Sequence, residues 1–251
     1  MKRWQVFKKG PELISIMAIF GLVIIFFLPI FIHIHNSNTQ TDWLQHYSYH
    51  ASARKIMLDY HQIPFRTPYF EGGHPMLAHP QDPSLDPVFL STLIFGEVVG
   101  MKVIMLFYYL IGSLGMYYLT RWVLRFRRNG ALLATLVFAF GNWLPSRMMD
   151  GNLEEGYFFI FPLALAFFLK SEKDKRYLVY CVFILALTIL RGKFVFPVIL
   201  LYLGLFALLK SFTLRRRKVH INFILPKNLV IIVVLAVMLA SLKVVPVAKL
   251  L

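Results

Sequence analysis

The sequence is short of charge, of acids above all, and nearly without cysteine. Of its 251 residues only 12 are Asp or Glu, against 27 Lys and Arg, and charged residues together make up 16%. A soluble domain carries about 25% charged residues, so an ordinary water-facing surface is excluded. Cys181 is the one cysteine and sits in an apolar run, which excludes a disulfide scaffold. What is abundant is apolar: 58% of residues, with a mean hydropathy of +0.64. Uncharged runs of 14 to 20 residues recur along the chain, and they predict a polytopic membrane protein.

The first such run, 13–32, follows Lys2, Arg3, Lys8 and Lys9. It is longer than the 7–15-residue core of a signal peptide, and no small-residue cleavage site follows it, so it reads as a retained span with a cytoplasmic N-terminus. Further spans are expected at about 103–120, 129–146, 156–169, 177–190, 194–209 and 229–242. Several fall short of the roughly 17 residues a span requires, so they must borrow flanking residues, sit at thin places or re-enter. The expectation is an all-α membrane protein, one module over 1–251, with about seven transmembrane helices and a long non-cytoplasmic loop at 33–102.

Charge follows that topology. The N-terminus, 121–128, 170–176 and 210–227 hold 18 of the 27 Lys and Arg, as the positive-inside rule requires of cytoplasmic segments. The basic balance is thus a topology signal, with contact to anionic membrane lipids secondary and no nucleic-acid partner implied. Nine of the 12 acids fall on the other side, as do seven of eight histidines, all between His33 and His79. Titratable chemistry is concentrated outside the cytoplasm.

The long loop opens with a stretch, 42–60, that fits a helix. At about 100° per residue, Leu44, Tyr47, Ala51 and Leu58 share one face and Asp42, His46 and His50 the other. This predicts a helix on the membrane surface, apolar side down, with the polar face in water. Asp42 either complements the helix dipole or is free for chemistry. His46 and His50 either face solvent or share an ion at i and i+4; no HExxH motif supports a zincin protease. Five prolines from Pro64 to Pro83 and the Gly72-Gly73 pair then exclude a long helix. The aromatic content suits a fixed wall over a cavity, with Asp82 and Asp86 as turn caps. The stretch 88–100, interrupted by Glu97, reads as an interfacial or re-entrant piece.

A second outer loop, 147–156, carries Arg147, Asp150, Glu154 and Glu155. It is either a solvated hairpin or a second wall of a site, with Arg147 on a phosphate and the acids on a metal or hydroxyls. Arg191 and Lys193, in a three-residue turn on the same side, either anchor a diphosphate or extend to the membrane edge.

These features together resemble the GT-C superfamily of polytopic glycosyltransferases, in its bacterial and archaeal, polyprenyl-phosphate-sugar-dependent form. The likeness lies in the first span followed by a long outer loop opening with Asp42, in Gly72-Gly73-His74-Pro75, and in Pro80-Gln81-Asp82-Pro83 running into Asp86-Pro87. Arg147…Asp150-Gly151-Asn152 and Lys243-Val244-Val245-Pro246 extend it over nearly the whole chain. The resemblance implies a helical enzyme of the prokaryotic cell membrane with its active face outside. A lipid-linked sugar would be the donor, and a glycan, lipid or protein the acceptor. It implies Asp42 as catalytic base or metal-associated carboxylate, and Arg147 and Asp150 as second-loop contributors. A divalent cation, Mg or Mn, would have Asp42, His46 and Asp150 as candidate ligands. Relatives often have Gly-His where this chain has Gly151-Asn152, so no histidine role carries over there. They also commonly continue further, so the chain reads as an N-terminal part or core module. The competing classes are a transporter or lipid flippase, disfavoured because ionisable residues lie in loops rather than mid-span, and a non-catalytic or truncated subunit.

Overall fold

The structure, a computed structural model, describes residues 9–37, 42–69, 72–151, 153–191, 195–215 and 218–250. Among the described residues, two helical stretches are long and apolar enough to cross a bilayer, Gly10–Ile32 and Pro87–Val123. A third qualifies if Ile224–Leu239 and Ser241–Lys249, bent by 77° at their junction, act as one.

Helix α1 (Lys9–Ile32) and helix α3 (Leu90–Tyr118) run antiparallel and are tied at both ends. At one end Arg121 donates to Glu12 Oε1 from Nε at 2.9 Å and Nη2 at 2.7 Å, while the Tyr117 hydroxyl donates to Oε2 at 2.7 Å. At the other, Lys102 Nζ donates to the carbonyls of His33, Ile34 and Asn36 at 2.7, 2.8 and 2.9 Å. Those carbonyls lie where a helix runs out of intrahelical partners, and the ammonium supplies three at once. Lys102→Met keeps most of the stem and removes all three bonds. Its expected cost is about 1.5–3 kcal/mol, read as a lowered unfolding midpoint in detergent.

Between them lies α2 (Trp43–Asp59). The helix is where the sequence predicts it, but it docks by the face that carries His46 and His50, with Tyr47 at its edge. Trp43, His46, Tyr47, His50, Ala53 and Ile56 are buried, while Leu44 and Leu58 are 53% and 42% exposed. The histidine side is not a wet face: His46 and His50 are 4% and 1% exposed, and Thr92 and Arg191 on other elements satisfy His50. The outward leucines keep an apolar stripe available to a membrane surface.

The stretch expected as an interfacial or re-entrant piece has a backbone break at Gly96. Gly96 has φ +82°, a region open chiefly to glycine, and the chain turns sharply there. The short piece before it folds back so closely that a Cβ on Gly100 would stand 2.5 Å from Thr92 Cα. Further along α3, Gly112 and Gly115 let the backbone approach Phe159 and Leu163, as small residues do between membrane helices.

The predicted span 129–146 is two helices, α4 (Arg128–Phe140) and α5 (Trp143–Met149), parted by extended Gly141 at φ −59°, ψ 144°. A 3-10 helix, Leu153–Ile160, leads into α6 (Phe161–Ser171), and α7 (Arg176–Arg191) and α8 (Val195–Ser211) follow. The expected loop at 210–227 contains an antiparallel hairpin, β1 (Phe212–Arg215) with β2 (Lys218–Ile221), pairing Phe212 with Ile221. The helical class therefore stands with one small hairpin. The chain continues as α9 (Ile224–Leu239) and α10 (Ser241–Leu250). Cys181, Leu185, Phe168, Ile199, Leu203, Ile232 and Ala236 from α6 to α9 form the main core.

Among the described residues, helix ends next to the basic stretches meet at one end of the bundle. Glu12 meets Arg121, Lys170 Nζ donates to the Tyr118 hydroxyl at 2.5 Å, and Asn228 Nδ2 donates to the Ser171 carbonyl at 3.0 Å. The acid- and histidine-rich loops occupy the other end.

Candidate functional site

Asp42 stands at the N-cap of α2, and its side chain makes no capping hydrogen bond. Capping in the strict sense is therefore not what occupies this carboxylate. The second outer loop lies directly against it. The indole Nε1 of Trp43 donates to the Met149 carbonyl at 3.2 Å. Gly151, at φ +85°, packs so tightly that a Cβ would be 2.5 Å from the Trp43 nitrogen and 3.1 Å from the Asp42 carbonyl carbon. Loops more than a hundred residues apart in sequence thus share one joint. Asp150, exposed, immediately precedes it, and Arg147, half-buried, lies on the last turn of α5. Gly151→Ala is expected to cost about 1–3 kcal/mol through backbone strain. The matching observation is a red-shifted Trp emission as Trp43 is levered away from Met149.

Of the remaining expected site residues, Lys193 and the side chains of Glu154 and Glu155 lie outside the described residues. Arg191 is described, and protein groups surround its guanidinium. It is 3% exposed and engaged by protein: Nη1 donates to Asp86 Oδ2 at 3.2 Å, Nη2 meets His50 Nε2 at 3.1 Å, and the guanidinium lies over the Tyr157 ring at 5.2 Å. Asp86 also accepts from the Tyr157 hydroxyl at 2.7 Å, the Tyr108 hydroxyl at 3.2 Å and the Val88 backbone N–H at 2.9 Å. A buried carboxylate is tolerated when paired and fully bonded, and this one is. The turn-cap role expected of Asp86 is real but is the smaller part of its work.

A guanidinium can only donate, so His50 Nε2 accepts. The ring proton is then on Nδ1, which donates to Thr92 Oγ1 at 2.8 Å. Burial, then the nearby Arg191 charge, holds His50 well below the ordinary histidine range. The same two causes, in the same order, push His46 down to about 4. Both rings are neutral near pH 7.

A second buried pair ties the outer-loop wall to α10. Lys243 Nζ donates to Asp82 Oδ2 at 3.3 Å and to the His79 carbonyl at 2.6 Å, and Ser84 Oγ donates to Asp82 Oδ2 at 2.6 Å. Asp82 and Lys243 were legible as motif members, but nothing in the sequence pairs them.

No group of three or more His, Cys, Asp or Glu among the described residues is arranged to hold a metal ion. Asp42, His46 and Asp150 are not brought together as a ligand set, since His46 is buried on the docked face of α2 while Asp150 is exposed.

Among the described residues, cavities adjoin the end that carries the acid- and histidine-rich loops. One, of about 20 Å³, is lined by Met101, Met105, Met148, Tyr108, Tyr157 and Arg191 among others; it has room for one water and none for a sugar. The other, of about 290 Å³, lies at the α4–α5 joint against Val137, Phe138, Trp143, Phe158 and Phe159, with Asn142 as its polar lining side chain. It approaches the volume of small-ligand pockets. Trp143 is one helical turn from Arg147.

The chain shows no significant match to any protein-family model, curated protein sequence or solved structure.

Proposed function

We propose that the protein is an integral membrane glycosyltransferase that moves a sugar from a polyprenyl-phosphate-linked donor to an acceptor hydroxyl on the non-cytoplasmic face. The observation that carries this reading is the joint between the loops: Gly151 seated on the Asp42–Trp43 backbone, with Asp150 beside it and Arg147 one turn back. A carboxylate not used in capping, an arginine and an apolar cavity of about 290 Å³ lie within one end of a bundle whose basic segments occupy the other. In this reading the basic end is cytoplasmic, in line with the positive-inside rule, and two or three of the seven proposed passes are long enough to span on their own.

In the reaction, the acceptor oxygen forms a bond to the anomeric carbon as the bond from that carbon to the phosphate oxygen breaks. Asp42 takes the acceptor proton as general base. Arg147 offsets the charge left on the departing phosphate, and its fork suits two phosphate oxygens. The apolar cavity beside Trp143 receives part of the lipid chain.

A second reading, a transporter or lipid flippase, draws on the buried Asp86–Arg191 and Asp82–Lys243 pairs, since buried ionisable groups in membrane proteins mark transport paths. One experiment separates the two. Membranes containing the full chain are given polyprenyl-phosphate sugars labelled in the sugar. Transfer is expected to move label off the lipid and release polyprenyl phosphate. Label that stays on the lipid but changes leaflet sinks the transferase reading in favour of the second.

A further inference from the structure

We infer that His50 is a proton-operated lock between the outer-loop helix and the membrane bundle. When neutral it bonds α2 to α7 and to the start of α3; when protonated it opposes Arg191 and releases α2. This inference does not rest on the glycosyltransferase reading.

The lock is built from three elements that meet at one ring. His50 is 1% exposed. Its Nε2 faces Arg191 Nη2 at 3.1 Å at the end of α7, and its Nδ1 faces Thr92 Oγ1 at 2.8 Å in the piece before the Gly96 break. The Phe89 ring packs against it at 5.4 Å. Only one tautomer serves both bonds, because arginine has no acceptor to offer. A second proton must go to Nε2, and there it removes the lone pair that Arg191 uses.

The charges around the ring determine the outcome. From α7 comes the Arg191 cation, while His46, one turn earlier on the same helix, is held down to about 4 and adds no charge above that pH. From the start of α3 come Thr92 and, just before it, Phe89, neither charged. Asp86 is the carboxylate facing this cluster among the described residues, and it already answers Arg191 while accepting from Tyr108 and Tyr157. A protonated His50 would leave the buried group with one positive charge more than it can pair, a costly state. The cheaper response is for α2 to leave. Because α2 begins at the Asp42–Gly151 joint, its release would also part the two outer loops.

Linkage fixes the sign. An undocked His50 takes up its proton near the ordinary value of about 6.5, whereas the docked ring resists it. The docked form is thus favoured above that pH. Below it, the opening constant rises by about tenfold per pH unit for this one group.

Amide exchange on the full chain in nanodiscs, followed over residues 43–59 from about pH 7.5 to about pH 5 across the histidine range, tests the lock. Rates are corrected for the chemical pH dependence and referred to residues 161–171 in α6. Protection of 43–59 should fall with acidity relative to that reference. His50→Gln places an amide oxygen toward Arg191 and an amide N–H toward Thr92 without titrating, and should flatten the slope by about tenfold per pH unit. Equal slopes in the two proteins, or a native slope no steeper than the reference, would overturn the inference. Ring-nitrogen NMR of the native chain checks it independently of any variant's folding. The proton must be on Nδ1 near neutral pH, and an Nε2–H tautomer overturns the lock.

Discussion

Arg191→Met is expected to lower stability by about 3–5 kcal/mol, more than its lost packing accounts for, because it strands a carboxylate in the interior. Asp86 is 4% exposed and cannot turn to solvent. Without Arg191 it keeps the hydroxyls of Tyr108 and Tyr157 and the Val88 N–H, but it has lost its counter-charge. His50 loses its donor at Nε2 in the same step. The origin of the effect is separable: Asp86→Asn alone strands the arginine instead, whereas the double variant D86N/R191M buries no unpaired charge. The double should be more stable than either single change predicts on additivity, by a coupling within about 0.5–3 kcal/mol. Unfolding midpoints of the four proteins in one detergent read this directly. An additive double variant would mean that the two side chains do not act as a pair.

How much of this was visible in the sequence depends on where each partner lies along the chain. The long apolar helices and α2 rest on local composition and periodicity, and these were legible. The contact between 42–43 and 149–151 corresponds to one of the two alternatives the sequence leaves open for the second loop, and neither the Trp43–Met149 bond nor the fit of Gly151 is legible there. The docking face of α2 was misread for a physical reason. Polar residues sharing a helix face predict solvent only if nothing else satisfies them, and the group that satisfies His50 is 141 residues away. Arg191 lies at the edge of an apolar run, where a residue reaching for the membrane boundary is expected, and its pairing with Asp86, 105 residues away, has no local signal. The break inside 129–146 did carry a local signal. Gly141 and Pro145 flank it, and the apolar character of the stretch outweighed them. In 88–100 the break belongs to Gly96, whose positive φ the sequence allows but does not announce.

Asp42 carries the largest expected effect. Asparagine matches its shape but cannot take a proton, so Asp42→Asn should reduce sugar transfer by about 10²–10⁴-fold, the contribution general-base catalysis makes. Stability should be nearly unchanged, since this side chain makes no capping hydrogen bond. The joint with Gly151 is made by backbone atoms and Trp43, which the substitution leaves alone. A loss of transfer at full stability therefore separates chemistry from architecture.

The most direct test of the account compares native protein with D42N at matched expression in the same membranes, measuring release of polyprenyl phosphate from labelled lipid-linked sugars. The account predicts release by the native protein and almost none by D42N, with equal unfolding midpoints. Equal release by both would contradict it, and would take Asp42 out of the chemistry.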